Sequence, residues 1–423
     1  MGFDLRQVVA GILTITMFVM LGQMLHRDYF DSLQEKAQGD AQDIEFEGSK
    51  VAVRDGLVGT VEGNSNGPWM EDNTDLNPCW PTLLSDEAVS SKGYVTFSLT
   101  NGPEYHISQI TDAVMVAKHL GATLVLPDIR GSKPGDERSF EDIYDADKLI
   151  KSLENVVKVV KQLPEEVSLR NMAIVKVPTR VTEDYVKENI VPIFKSKGNI
   201  RVASYFPSVN LRKSSQDGET DPVACLAMFG SLELQPEVNA VAESMVERLR
   251  THSRKSGGRF IAVDLRIDVL EKKNCHTTGV GGSKTCYNAQ EIALFLRKLG
   301  FASDTTIYLT QPRWDSSLNI LKDIFPKTFT KEAIMPASKR SKYLESESSE
   351  YENAIDFYIS SRSDVFIPAI SGLFYANTVG KRIALGKTQV LVPAEISETS
   401  GLATDFISPY ISKKNHLAYS CFC

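Results

Sequence analysis

Hydrophobic positions along this 423-residue chain fall into three regimes. Residues 8–25, VVAGILTITMFVMLGQML, form an apolar run with no charge, at the lower limit of length for a membrane-spanning helix. Residues 26–88 show little sustained periodicity and contain the linker signature Gly63-Asn64-Ser65-Asn66-Gly67-Pro68. From Tyr94 onward, short β-rich runs alternate with stretches of helical spacing.

The alternation comes in two series. In the first, YVTFSL (94–99), TLVLP (123–127), MAIVKV (172–177) and RVASYF (201–206) read as strands, with helices expected near Ile107–Leu120 and over Pro236–Arg254. Gly257-Gly258 breaks the chain. The second series contains RFIAVDLR (259–266), TTIYLT (305–310) and VFIPA (365–369), with helices over 289–300 and near Tyr351–Ser361. This pattern predicts an α/β fold with largely parallel sheets, arranged as two facing Rossmann-like domains at 89–256 and 257–423. Ligands in such folds sit beyond the carboxyl ends of the strands.

The apolar run changes the picture of the first 88 residues. No small-x-small cleavage site stands out after it, so an uncleaved signal anchor is expected over a removed signal peptide. Arg6 before the run is offset by Arg27 after it, and orientation from charge is weak. The short stretch 1–7 is expected in the cytosol and everything beyond the span in the lumen. Residues 26–88 then serve as stem. A net charge of -7 with interspersed signs shows no basic stripe, and nucleic-acid binding is set aside.

The six cysteines lack Cys-x-x-Cys spacing, which speaks against a zinc site. In an oxidising lumen they read as disulfides, with Cys275 and Cys286 the expected pair around a Gly-rich loop. Cys421 and Cys423 are too close to join each other. Gly279–Thr285 lacks the spacing of a phosphate loop, and neither Gly-x-Ser-x-Gly nor His-Glu-x-x-His occurs. Asp145-Ala146-Asp147 has the form of a metal-binding Asp-x-Asp but falls in a helical stretch, and no metal is expected.

Three segments resemble the plant O-fucosyltransferase-like glycosyltransferases, in order and spacing, over roughly residues 90 to 395. They are 98–129 with SFEDIYDADKLI (139–150), FIAVDLRIDVLEKKNC (260–275), and AIDFYISSRSDVFIPAISGLFYANTVGKRIALG (354–386). The NGPEYH and VDLRID versions are similar to the mannan-synthesis-related branch. The resemblance implies a GT-B-like, inverting, metal-independent Golgi transferase of type II topology. Its co-substrate would be a nucleotide sugar, GDP-linked rather than UDP-linked, and its acceptor a polysaccharide or other glycan in mannan or glucomannan synthesis.

Residue by residue, Arg266 matches the family's diphosphate-binding arginine, Asp356 an aspartate near the nucleotide, and Ser371-Gly372 the donor-binding turn. Gly102 and Arg382 complete the donor set, and Glu104 and His106 are candidates for the base. Bland readings stand beside these. Arg266 would hold Asp264 or Asp268, Asp356 would be a helix-start charge, and His106 a helix-start polar residue. Asp264 replaces the family's histidine, Gly102–His106 replaces its Gly-Gly-Leu-Asn-Gln loop, and Lys381 interrupts its Gly-His-Arg. A catalytically silent scaffold for a mannan synthase therefore stays open beside the enzyme.

Overall fold

The computed structural model describes residues 68–69, 76–80, 91–100, 102–131, 137–169, 172–178, 181–204, 220–273, 286–344, 350–393 and 403–422. The expected membrane span at 8–25 lies outside these residues. Among those described, no helix is long and apolar enough to cross a membrane.

The strands of the first series are β1 (Tyr94–Thr96), β2 (Ser98–Thr100), β3 (Thr123–Val125), β4 (Asp128–Arg130), β5 (Glu137–Ser139), β6 (Val159–Val160), β7 (Ala173–Lys176) and β8 (Asn199–Ala203). Those of the second are β9 (Phe260–Asp264), β10 (Thr306–Leu309), β11 (Thr328–Phe329) and β12 (Val365–Pro368). They build a parallel sheet in the order β6-β3-β1-β8-β7 and a second parallel sheet in the order β11-β10-β9-β12. The expected α/β architecture is thus present. The run Tyr94–Leu99, read as one strand, divides at Phe97. β1 pairs with β3 and β8, while β2 turns away to pair with β4 in a small third sheet.

The second sheet shows why its strands read as unbroken apolar runs. Phe260, Ala262, Tyr308 and Phe366 face one core, and Ile261, Val263, Ile307 and Ile367 face another. With both faces covered, neither parity of position meets water, and period-two alternation disappears.

Five helices matter for the site: α1 (Pro103–Leu120), α2 (Pro236–His252), α3 (Ala289–Lys298), α4 (Glu350–Arg362) and α5 (Leu373–Ala384). α1 starts four residues before its expected beginning. Gly102 is extended and Pro103 occupies the first helical position, where its fixed φ suits the helix and its missing N–H costs nothing. α1 packs on the first sheet and also on α4 and α5 from the second series. This double burial explains why even Ser108, Gln109 and Asp112 are hidden. α2 buries Val238, Val241, Ala242, Met245, Val246 and Leu249, a helical stripe.

The C-terminal segment returns to the first series. Cys421 forms a disulfide with Cys225, 196 residues earlier, and Cys79 N–H donates to Cys421 O at 3.0 Å. Cys79 and Cys286 each take part in a disulfide of their own, and the Cys275 half of the expected pair with Cys286 lies outside the described residues. A cross-link closing so long a loop restricts the unfolded chain strongly. Cys225→Ala is therefore expected to cost about 2–4 kcal/mol, read as a lower melting temperature under non-reducing conditions. An unchanged melt would mean that packing of Phe422 against Trp80 and Phe229 holds this segment without the bond.

Candidate functional site

The site forms where β9 ends. Asp264 is the last residue of the strand and is 1% exposed. Its Oδ1 accepts from Thr310 Oγ1 at 3.0 Å and lies 3.2 Å from Arg266 Nε. Arg266 follows in extended conformation and leads into the short helix Ile267–Lys272. Its guanidinium carbon lies 5.3 Å from the ring centroid of Phe374, in the first turn of α5. Asp264 therefore engages the Nε edge and places the guanidinium over the N-terminus of another helix. Asp268 is exposed and spaced to meet Lys272 at 3.8 Å, so Arg266's carboxylate partner is Asp264.

That N-terminus is built by Ser371-Gly372. Gly372 has φ +144 and ψ -168, a conformation that is essentially glycine-only. No side chain caps α5, so the amides of its first turn are left for another acceptor. Uncapped amides beside a guanidinium form a ready anion site. Lys273 Nζ ties the turn to the β9 segment through a 2.8 Å bond to Ser371 O. Burial lowers the Lys273 pKa, against the opposing pull of Asp264.

Opposite stands the first turn of α1. Glu104 is nearly buried, and its Oε2 has no hydrogen-bond partner. Burial raises its pKa above the ordinary 4.5, with Arg266 pulling the other way and Asp264 and Asp356 adding to the rise. The carboxylate folds back over Gly102: a Cβ there would lie 2.4 Å from Oε2. Gly102 thus makes room for Glu104. Asn377 of α5 anchors the same turn, its Nδ2 donating to Glu104 O at 2.7 Å.

Other expected site residues sit elsewhere. His106 has no exposed surface; its Nδ1 is 2.7 Å from Tyr144 Oη. Burial lowers its pKa to about 3, which keeps the ring neutral and a poor base. It is withdrawn from any acceptor. Asp356 lies in the second turn of α4, not at its start, and both its oxygens are engaged. Tyr308 Oη donates at 2.6 Å and buried Lys331 Nζ at 2.6 Å. Burial still raises its pKa to about 6. It stands behind the site as one half of an ion pair. Arg382, expected among the donor-binding groups, is wholly buried, and its guanidinium bonds Ser360 O, Ser363 O, Ser363 Oγ, Asp364 O and Gln389 O. It is a structural residue. Asp145 caps the helix Ala146–Leu153, and exposed Asp147 pairs with Lys161, so the Asp-x-Asp run is surface.

The family model for GDP-fucose protein O-fucosyltransferase matches residues 94–385. This chain belongs to that family. It is thereby a member of a glycosyltransferase family. Among relatives, Protein MANNAN SYNTHESIS-RELATED 1 of Arabidopsis thaliana is 96% identical over the full length of both chains. Protein MANNAN SYNTHESIS-RELATED of Trigonella foenum-graecum is 47% identical over 99% of each. Among solved structures, apo POFUT1 is similar at 13% identity and TM-score 0.45, covering 73% of this chain and all of that one.

Within this O-fucosyltransferase family member, the structure brings together Gly102, Glu104, Arg266, Ser371 and Gly372, and separates His106 and Arg382 from them. Lys273 and Asn377 were not foreseen. Lys273 stands one short helix after Arg266, and Asn377 stands on the turn of α5 that faces α1; neither position carries a pattern legible along one chain.

Proposed function

We propose that this chain is an inverting, metal-independent glycosyltransferase of the Golgi lumen, anchored as a single-pass type II protein. It transfers a sugar from a GDP-sugar to a polysaccharide acceptor in plant mannan or glucomannan synthesis. Family membership supports transfer, and the family's description names GDP-fucose as its donor. The relatives' names support the mannan setting. The observation that carries the chemistry is the buried Glu104 carboxylate, its Oε2 without a hydrogen-bond partner, standing in the field of Arg266.

Direct displacement at the anomeric carbon needs two things of the protein. Negative charge growing on the departing diphosphate meets the Arg266 fork and the uncapped amides of α5, both held in place before reaction. The acceptor hydroxyl loses its proton to Glu104, whose raised pKa makes it a stronger base than an ordinary glutamate. Incubating the full chain with a panel of GDP-sugars and mannan oligosaccharides tests the reading; no extended product with any donor would overturn it.

Glu104→Gln is expected to lower transfer about 100-fold with donor binding retained. The base works deprotonated, so activity should fall as pH drops through the raised Glu104 pKa. That acid limb should lie above pH 4.5 and vanish in the Gln variant. One observation favours the scaffold reading: Asp264 brings a negative charge to the edge of the anion site.

A further inference from the structure

Asp264 closes the buried strand β9, and only one of its oxygens is used. Oδ1 accepts from Thr310 Oγ1 and lies 3.2 Å from Arg266 Nε, an ion pair without a hydrogen bond. Oδ2 is buried with no hydrogen-bond partner, in a residue 1% exposed. Arg266 and Lys273 surround it from its own segment and Glu104 from the facing helix, all within electrostatic reach. A buried carboxylate oxygen left unpaired is costly, and such exceptions in folded proteins call for a ligand or a function.

We infer that Asp264 Oδ2 is the hydroxyl acceptor that reads the sugar of the donor, a specificity-determining role resting on the donor site proposed above. The ligand must offer an O–H or N–H. A diphosphate offers neither and is repelled by the carboxylate. The sugar is joined directly to the phosphate that Arg266 would hold, so its hydroxyls fall beside Asp264, whereas the guanine lies a ribose away. Asp264 thus makes the site hostile to a bare diphosphate and favourable to one carrying a hydroxyl-rich hexose. Discrimination by a charged acceptor of this kind is strong, because a ligand without the hydroxyl leaves the carboxylate unpaired.

The test compares GDP with GDP-mannose, binding each to the full chain and to Asp264→Asn by calorimetry. Asparagine keeps an oxygen for Thr310 and Arg266 and puts an NH2 where Oδ2 stood, replacing a charged acceptor by a neutral donor. The full chain is expected to bind GDP-mannose more tightly than GDP by about tenfold or more, the worth of one charge-assisted bond. Asp264→Asn should lose most of that increment, so that the ratio of the two affinities falls toward one, whatever the loss of its ion pair with Arg266 does to GDP itself. Far-ultraviolet circular dichroism of the variant checks that it is folded. The inference is overturned if the unaltered chain shows no sugar increment, if the variant keeps it, or if the variant loses GDP and GDP-mannose in equal proportion. Absence of GDP binding by the unaltered chain defeats the donor site as a whole, a result distinguishable from failure of Asp264's role alone.

Discussion

Arg266→Ala is expected to reduce sugar transfer about 1,000-fold, or ~4 kcal/mol of transition-state stabilisation. Arg266 stands against the first turn of α5, its guanidinium carbon 5.3 Å from the centroid of the Phe374 ring. Its Nε edge meets Asp264 at 3.2 Å, which leaves the two terminal nitrogens for phosphate oxygens. Lysine would keep the charge but lose the fork, and its single ammonium would settle on Asp264. Arg266→Lys should therefore stay folded and still fail in transfer, by roughly 100-fold, with the loss mainly in turnover. The sequence left two roles for Arg266, an ion pair or a phosphate contact. One geometry accommodates both, since the ion pair with Asp264 would aim the guanidinium of the proposed donor site. Transfer rates of purified variants, with far-ultraviolet circular dichroism as a folding control, check the prediction. Wild-type transfer by Arg266→Lys would remove the guanidinium fork from the chemistry.

Legibility in the sequence follows the range of the interactions. β9, β10 and β12 were readable because two-sided burial writes an apolar run into consecutive residues. The division at Phe97 was not, since β2 is set by its partner β4, some thirty residues away. The start of α1 was misplaced because Pro103 was read as a loop residue, although proline suits a helix's first turn. At the site, Arg266 and Gly372 were singled out by their match to the family's motifs, with Arg266 at a strand end. Lys331 was invisible as the partner of Asp356, 25 residues on. Resemblance supplied residue types but not exposure, and this misled the reading of His106 and Arg382. Cys421's need for a distant partner was legible, and the identity of Cys225 was not.

Arg382 carries the largest expected effect on stability. It is the bulkiest fully buried side chain among the described residues, and hydrogen bonds of 2.7–3.1 Å tie its guanidinium to the C-terminal end of α4 and to residues flanking β12. Ser360 and Ser363 close α4, Asp364 enters β12, and Gln389 precedes the Val390 bridge to Phe366. The backbone oxygens of a helix end are orphans that need donors, and Arg382 supplies them from within the core. Arg382→Met keeps much of the stem's volume and removes every donor, leaving several buried carbonyls unsatisfied. Each such group costs about 1–3 kcal/mol, so a total loss of more than ~4 kcal/mol is expected even after partial relaxation. Arg382→Lys should recover only part, because three donors cannot serve five acceptors arranged for a planar fork. Denaturant melts of both variants measure this. A donor-binding arginine would behave in the opposite way, melting normally and losing GDP affinity alone. That outcome would return Arg382 to the site from which its burial removes it.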